Sequence, residues 1–207
     1  MNSSITVEKV TKKRSYFLLK LKNCTEIIKL HQSILGEFSL FEGKVLTLKE
    51  LDEIKERSDY LFAWDSALRF LSIRAHSEKE LINKLKKKGF LPKNIEKVIQ
   101  ETKRLSFIDD EKFAELYVDE LKWKASSKRM ISSKLYEKGI PQEIISKVLE
   151  EKFDENDELE AARRIFAKKK PSLERESDLK KRKIKLFRYM SSRGFSYEII
   201  DTIYNEF

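Results

Sequence analysis

LINKLKKKGFLPKNIEKVI, residues 81–99, reads as a helix, a glycine stop and a second helix. Leu81 and Leu85 are four apart and share one helical face. A lysine run precedes Gly89. Positive charge suits the negative end of a helix dipole there, and glycine suits the left-handed cap that follows. Phe90 turns inward, Pro92 fits the first position of the next helix, and Ile95, Val98 and Ile99 form its apolar face.

The pattern recurs around Gly139 and Gly194. Four residues before the three glycines stand Leu85, Leu135 and Met190; eight before stand Leu81, Ile131 and Leu186. Directly after come Phe90, Ile140 and Phe195; six after, Ile95, Ile145 and Ile200; nine after, Val98, Val148 and Ile203. Helices often end in glycine, but that alone does not reproduce five matched apolar offsets. The spacing predicts a tandem repeat of 50 to 55 residues.

Composition fits this. The chain has 207 residues, 38% of them charged, with only 5 Gly and 3 Pro, which favours long surface helices. A hydrophobic fraction of 40%, including 13 Phe, is enough to build a core and excludes a disordered chain. The lone Cys24 makes no internal disulfide. With no signal-like start and no apolar run near 18 residues, the expected place is the reducing cytoplasm, away from membranes. Cys24 falls in a strand-like stretch and reads as a small packing residue.

The net charge of +9 is unevenly placed. Residues 160–193 hold 13 Lys or Arg against 4 Asp or Glu, and the remainder holds 31 of each sign. The excess therefore reads as concentrated in the last third, where a polyanion partner is expected.

Along the chain, Ile5–Val10, Tyr16–Leu21 and Thr25–Leu30 are β-prone, with Asn23 near a turn, and predict a small antiparallel sheet or hairpin. A short helix is expected over His31–Phe38, then a loop at Phe41–Lys44. Thr47 and Glu50 have capping-box spacing before Leu48, Leu51 and Ile54. A separate helix is expected from Ser58 to Arg74. Ser77 and Glu80 repeat the capping-box spacing, and the neighbouring His76, lacking other ligand-type residues, reads as a packing residue. Asp109 or Asp110 caps the helix carrying Phe113, Leu116, Tyr117 and Leu121. An acid–base or metal role for that pair is disfavoured, because adjacent residues at a helix start rarely converge on one atom. In the last part Pro171 is expected to end one helix, and Ser172–Arg193 to form a longer one. Four segments result: a strand-containing region at 1–46, a first helical unit with its preceding helix at 47–106, a second three-helix unit at 107–153 and a basic third at 154–207. Helices sharing apolar faces in series predict an elongated array.

HSEKELINKLKKKGF (76–90), FIDDEKFAELYV (107–118), SKRMISSKLYEKGI (127–140) and FRYMSSRGFSYEII (187–200), in this order and spacing, resemble the RecX regulatory-protein family. The resemblance covers roughly residues 60–207, with a weaker match in the strand-containing region. It implies a mainly α fold of tandem three-helix repeats in a curved array. It implies binding along the groove of the RecA–DNA filament, with inhibition of ATP hydrolysis and strand exchange in DNA repair. It implies no catalytic residue and no cofactor; a monomer is expected. The residues themselves show no phosphate-binding glycine loop, no metal-ligand cluster and no Ser or Cys nucleophile with a histidine. The family has no active site to carry over, so the binding residues are chosen on charge: Arg163, Arg164, Lys168, Lys169, Lys170, Lys180, Lys181, Arg182, Lys183, Lys185 and Arg188. Gly89, Gly139, Gly194, Asp109 and Asp110 are expected as structural caps. Three readings stay open: a filament-binding regulator, a direct binder of single- or double-stranded DNA with Tyr189 and Phe187 available to stack on bases (Phe187 fits a core position equally well), and a helical scaffold for another protein.

Overall fold

The computed structural model describes residues 4–206. Two compact units are present.

The first unit comprises residues 4–75 and 81–107. It opens with β1 (Ser4–Lys12), β2 (Tyr16–Leu21), β3 (Ile27–His31), the short α1 (Ile34–Glu37) and β4 (Val45–Thr47). The strands form one antiparallel sheet in the order β3-β2-β1-β4. β4 was not expected. At three residues it is too short for alternation to register, and pairing with β1, Ile5 opposite Leu46, defines it. Cys24 lies outside a strand, in the turn after Asn23 (φ 57°). Its amide donates to the Leu21 carbonyl, and its half-buried thiol packs on the sheet core. Val7, Leu19, Leu30, Ile34, Leu46 and Ile54 are fully buried in that core.

α2 (Leu48–Leu71) is one helix of 24 residues, not two. Nothing between Ile54 and Ser58 breaks it: Lys55, Glu56 and Arg57 are good helix formers. Ser58 faces inward, and its Oγ accepts the His31 amide at 2.8 Å. The Thr47–Glu50 capping box starts the helix, with both reciprocal bonds made. Leu48, expected on the apolar face, is exposed. α3 (Glu78–Lys87) and α4 (Pro92–Arg104) follow, the first residues of α3 belonging to the second unit.

The second unit comprises residues 76–80 and 108–206. α5 (Asp110–Trp123), α6 (Lys128–Glu137) and α7 (Gln142–Lys152) enclose Phe113, Val118, Leu121, Ile131, Leu135 and Val148. α8 (Glu155–Glu174), α9 (Leu179–Ser191) and α10 (Tyr197–Asn205) enclose a second core of Ala162, Ile165, Leu173, Leu186, Met190 and Ile200. The second and third repeats thus have one core each. Pro171 does not end its helix: α8 runs one turn further, and α9 begins at Leu179 instead of Ser172. A proline inside a helix costs about 3 kcal/mol, and burying a leucine returns about 1.5–3 kcal/mol. Leu173, fully buried, draws the last turn of α8 onto the core. No described helix is long and apolar enough to cross a membrane.

Candidate filament and nucleic-acid interface

The repeat glycines set the middle helices. Gly89, Gly139 and Gly194 have φ of 85°, 86° and 85°, the left-handed region where a Cβ is penalised. Each turn is closed by a backbone bond reaching back to Leu85, Leu135 or Met190. Two of these turns are also gripped by an earlier segment. The Ser77 hydroxyl accepts the Glu80 amide and donates to the Lys138 carbonyl at 2.7 Å. Ser127 does the same with the Met130 amide and the Arg193 carbonyl, also at 2.7 Å. A serine twelve residues before one glycine therefore holds the residue just before the next glycine. His76, beside Ser77, is buried.

Asp109 and Asp110 serve different helices. Asp109 is the N-cap of α5, its carboxylate accepting the Lys112 amide at 3.0 Å. Asp110 lies in the first turn of α5, and its carboxylate accepts the Glu78 amide at 2.9 Å, capping the start of α3. Among the described residues no group of His, Cys, Asp or Glu side chains is arranged to hold a metal ion.

The basic residues of 160–193 divide by what they touch. On α8, Arg163 holds Glu206 through two bonds of 2.8 and 3.1 Å. Arg164 donates to the Trp123 carbonyl, Lys169 covers the Tyr189 ring, and Lys170 lies 4.0 Å from Glu174. Around α9, Lys181 lies 4.0 Å from Asp178, the Arg182 guanidinium donates to the Glu176 carbonyl, Lys183 pairs with Asp201 at 3.0 Å, and Lys185 pairs with Glu176. The hydrogen bond from Lys185 holds the Glu176 carboxyl below the ordinary range, and the bond from Lys183 does the same to Asp201. Lys168, Lys180 and Arg188 are exposed, and among the described residues none of the three makes an ion pair. Of the expected eleven residues, Lys168, Lys180 and Arg188 thus keep charged groups that touch neither a carboxylate, a carbonyl nor a ring among the described residues, while Arg164 and Lys169 meet a carbonyl and a ring but no carboxylate.

Two further features escaped the sequence. Phe187 packs partly on the core of the third repeat and meets Tyr197 at 4.9 Å between ring centres. Tyr189 is covered by the Arg193 guanidinium at 3.8 Å and by Lys169 at 5.1 Å, so its ring is already engaged. Tyr197 starts α10 outside the apolar spacing of Ile200 and Ile203, which is why it passed unnoticed. The second feature is charge. The balance outside 160–193 is an average: residues 81–107 hold 8 Lys or Arg against 2 acids, and residues 108–159 hold 9 against 14. The excess is thus not confined to the last third. Exposed Lys86 and Lys87 carry part of it, and counting charge repeat by repeat would have found it.

Two open grooves also line the surface. One, in the first unit, is edged by Glu37, Glu56, Arg57, Tyr60 and Lys97. Its charges are paired internally, Arg57 with Glu37 at 2.9 Å and Lys97 with Glu56 at 3.0 Å. The other lies on α9 and is lined by Lys183, Ile184, Phe187, Arg188, Ser191 and Tyr197.

Three family models match the chain: RecX first three-helix domain over residues 63–101, second over 109–149 and third over 156–203. A Clostridium acetobutylicum protein named Regulatory protein RecX is 37% identical over 185 residues, 88% of this chain and 82% of the relative. One of that name from Listeria welshimeri is 36% identical over 155 residues, 74% of this chain but 56% of the relative, so the matched region spans little more than half of that protein. A crystal structure of regulatory protein RecX superposes with a TM-score of 0.71 at 21% identity, covering 97% of this chain and 99% of that one. That of RecX from Lactobacillus salivarius gives 0.62 at 26% identity, covering 72% and 96%. The repeat glycines, the three-helix domains matched in order and the extent of the Clostridium match place this chain in the RecX family of regulatory proteins.

Proposed function

We propose that the protein binds the RecA–DNA filament in the cytoplasm as a monomer and lowers its ATPase and recombinase activity during DNA repair. It acts by occupying the filament, not by chemistry of its own, and uses no cofactor. The carrying observation is that the exposed Lys168, Lys180 and Arg188 on α8 and α9 keep charged groups with no ion pair, hydrogen bond or ring contact among the described residues, in a chain of the RecX family. A cation already held by a carboxylate must break that pair to meet a phosphate or an acidic side chain; these three do not. Arg163, Arg164, Lys169, Lys170, Lys181, Arg182, Lys183 and Lys185 frame them and supply longer-range attraction.

The test is a titration of the protein into RecA assembled on single-stranded DNA, following ATP hydrolysis across a salt series. The parent lowers the rate. Lys168→Gln, Lys180→Gln and Arg188→Gln together keep the fold, because exposed helix positions accept Gln at little cost. They weaken inhibition and flatten the salt dependence by up to about one unit per lost phosphate contact. A parent without effect on the filament refutes the function. A triple variant that inhibits as well as the parent moves the contacts elsewhere, with Lys86 and Lys87 the next to change.

A further inference from the structure

We infer that the groove on α9 and the start of α10 is a subsite for single-stranded nucleic acid, in which a base stacks on Tyr197 and the flanking phosphates meet Lys180 and Arg188. The inference rests on reading α8 and α9 as the polyanion-binding part of the protein, and adds a contact that charge alone does not supply.

The residues lie together by helical geometry. At about 100° per residue, Lys180, Ile184, Phe187, Arg188 and Ser191 fall within one face of α9, opposite the buried Leu186. Lys180, Ile184 and Arg188 follow one another at four-residue steps, so the stripe is cation, apolar side chain, cation. The outer two stand about 12 Å apart along the axis, leaving room for a base between two phosphate contacts. Ile184 is 58% exposed and Tyr197 is 62% exposed, and Phe187, which lines the same groove, packs on the core of the third repeat. The Phe187 ring supports Tyr197 from one side, inclined at 48°. Lys183 also lines the groove, over Phe187 at 5.5 Å, with its charge held by Asp201.

Exposed apolar and aromatic surface beside unpaired cations suits one class of partner best. A single strand presents flat bases and a charged backbone at once, and aromatic platforms with flanking cations bind that combination without regard to sequence. A duplex keeps its bases stacked internally and offers the Tyr197 ring nothing. An acidic peptide would satisfy Lys180 and Arg188 but leave the ring without a flat partner.

The experiment needs no recombinase, so its outcome is separate from that of the filament titration. Binding of the full chain to a fluorescent oligothymidylate is compared with binding to an abasic strand of the same length, a duplex, and a poly-glutamate peptide carrying leucines. The parent should prefer oligothymidylate over the abasic strand by about tenfold. Tyr197→Ala should abolish that preference and leave abasic affinity unchanged, and Tyr197→Phe should restore it. Lys180→Gln with Arg188→Gln should weaken both strands alike and reduce the salt slope. Tyr197 is exposed, so melting curves should show Tyr197→Ala as stable as the parent. Equal affinity of the parent for thymidylate and abasic strands overturns the inference. So does a Tyr197→Ala preference equal to the parent's, tighter binding of the duplex, or binding of the acidic peptide alone.

Discussion

The three repeat glycines share a backbone conformation but not a neighbourhood. A Cβ on Gly89 would meet nothing within 4 Å. On Gly139 it would fall 2.5 Å from the Lys79 side chain, and on Gly194 2.7 Å from the Ser127 hydroxyl and 3.3 Å from the Met130 amide nitrogen. Gly89→Ala should therefore cost about 1 kcal/mol, the price of a left-handed alanine. Gly139→Ala should cost more than about 2 kcal/mol, because the Lys79 Cβ, 2.6 Å away, is fixed to its own backbone and cannot swing aside. Gly194→Ala should likewise cost more than about 2 kcal/mol, because strain adds to overlap with the Ser127 hydroxyl, which is held in place by its bonds to Met130 and Arg193. Denaturant midpoints of the three variants give the ranking, and equal losses would mean that only φ matters. The sequence shows the three glycines but cannot distinguish them, since the difference comes from contacts about 60 residues away. It also conceals two helix ends of the same kind. Ser106 and Ala125 have φ of 56° and 57° after α4 and α5, and a search for glycine passes over both.

At the scale of elements, the apolar offsets around each glycine located α3, α4, α6, α7, α10 and the end of α9, though not its start, because amphipathic helices write their buried face into the spacing. Errors fell where spacing is silent: the uninterrupted α2, the last turn of α8 and the three-residue β4. The serine link was half legible. Ser77 was visible as an N-cap, while its second bond, donated to Lys138, was not. The third repeat breaks the pattern: Arg182 occupies the serine position, and α9, a turn longer at its start, is capped by Asp178. Ser127→Ala removes the bond accepted from Met130 and the one donated to Arg193, so it should cost about 1–2 kcal/mol. Ser127→Asp restores the cap but places an acceptor against a carbonyl, and should recover little. Thermal melting of both variants separates the two bonds; full recovery by Asp would make Ser127 a cap and nothing more.

Charge belongs to the whole molecule. Several carboxyls titrate below their ordinary range. Hydrogen bonding from Lys97 and Lys93 lowers Glu56, the Thr47 cap lowers Glu50, and Arg163 lowers Glu206. For Asp157 burial pushes upward, but the Lys122 ammonium and the Asp154 amide together outweigh it. A carboxyl with a lowered folded pKa stabilises the fold above its unfolded value and loses that contribution as pH falls through the folded one. Glu158 and Asp59, raised by burial, act in the opposite sense but are fewer. The melting temperature should therefore drop as pH is taken from about 5 to 3, the range in which free carboxylates take up protons. A flat or rising melting temperature across that interval would show that these pairs contribute nothing net. The overall basic character was legible from composition. Which cations are already spent was not, because Arg163 meets Glu206 across 43 residues of chain.

The serine links also order events in time. Ser77 is synthesised 61 residues before the carbonyl it holds, and Ser127 66 residues before its own. At about 5–20 residues per second the ribosome needs roughly 3–13 s to make each missing acceptor. During that interval the serine can cap its own helix, but its hydroxyl proton has no carbonyl of the next repeat to reach. Each of these two serines is thus translated before the contact that its hydroxyl completes can exist.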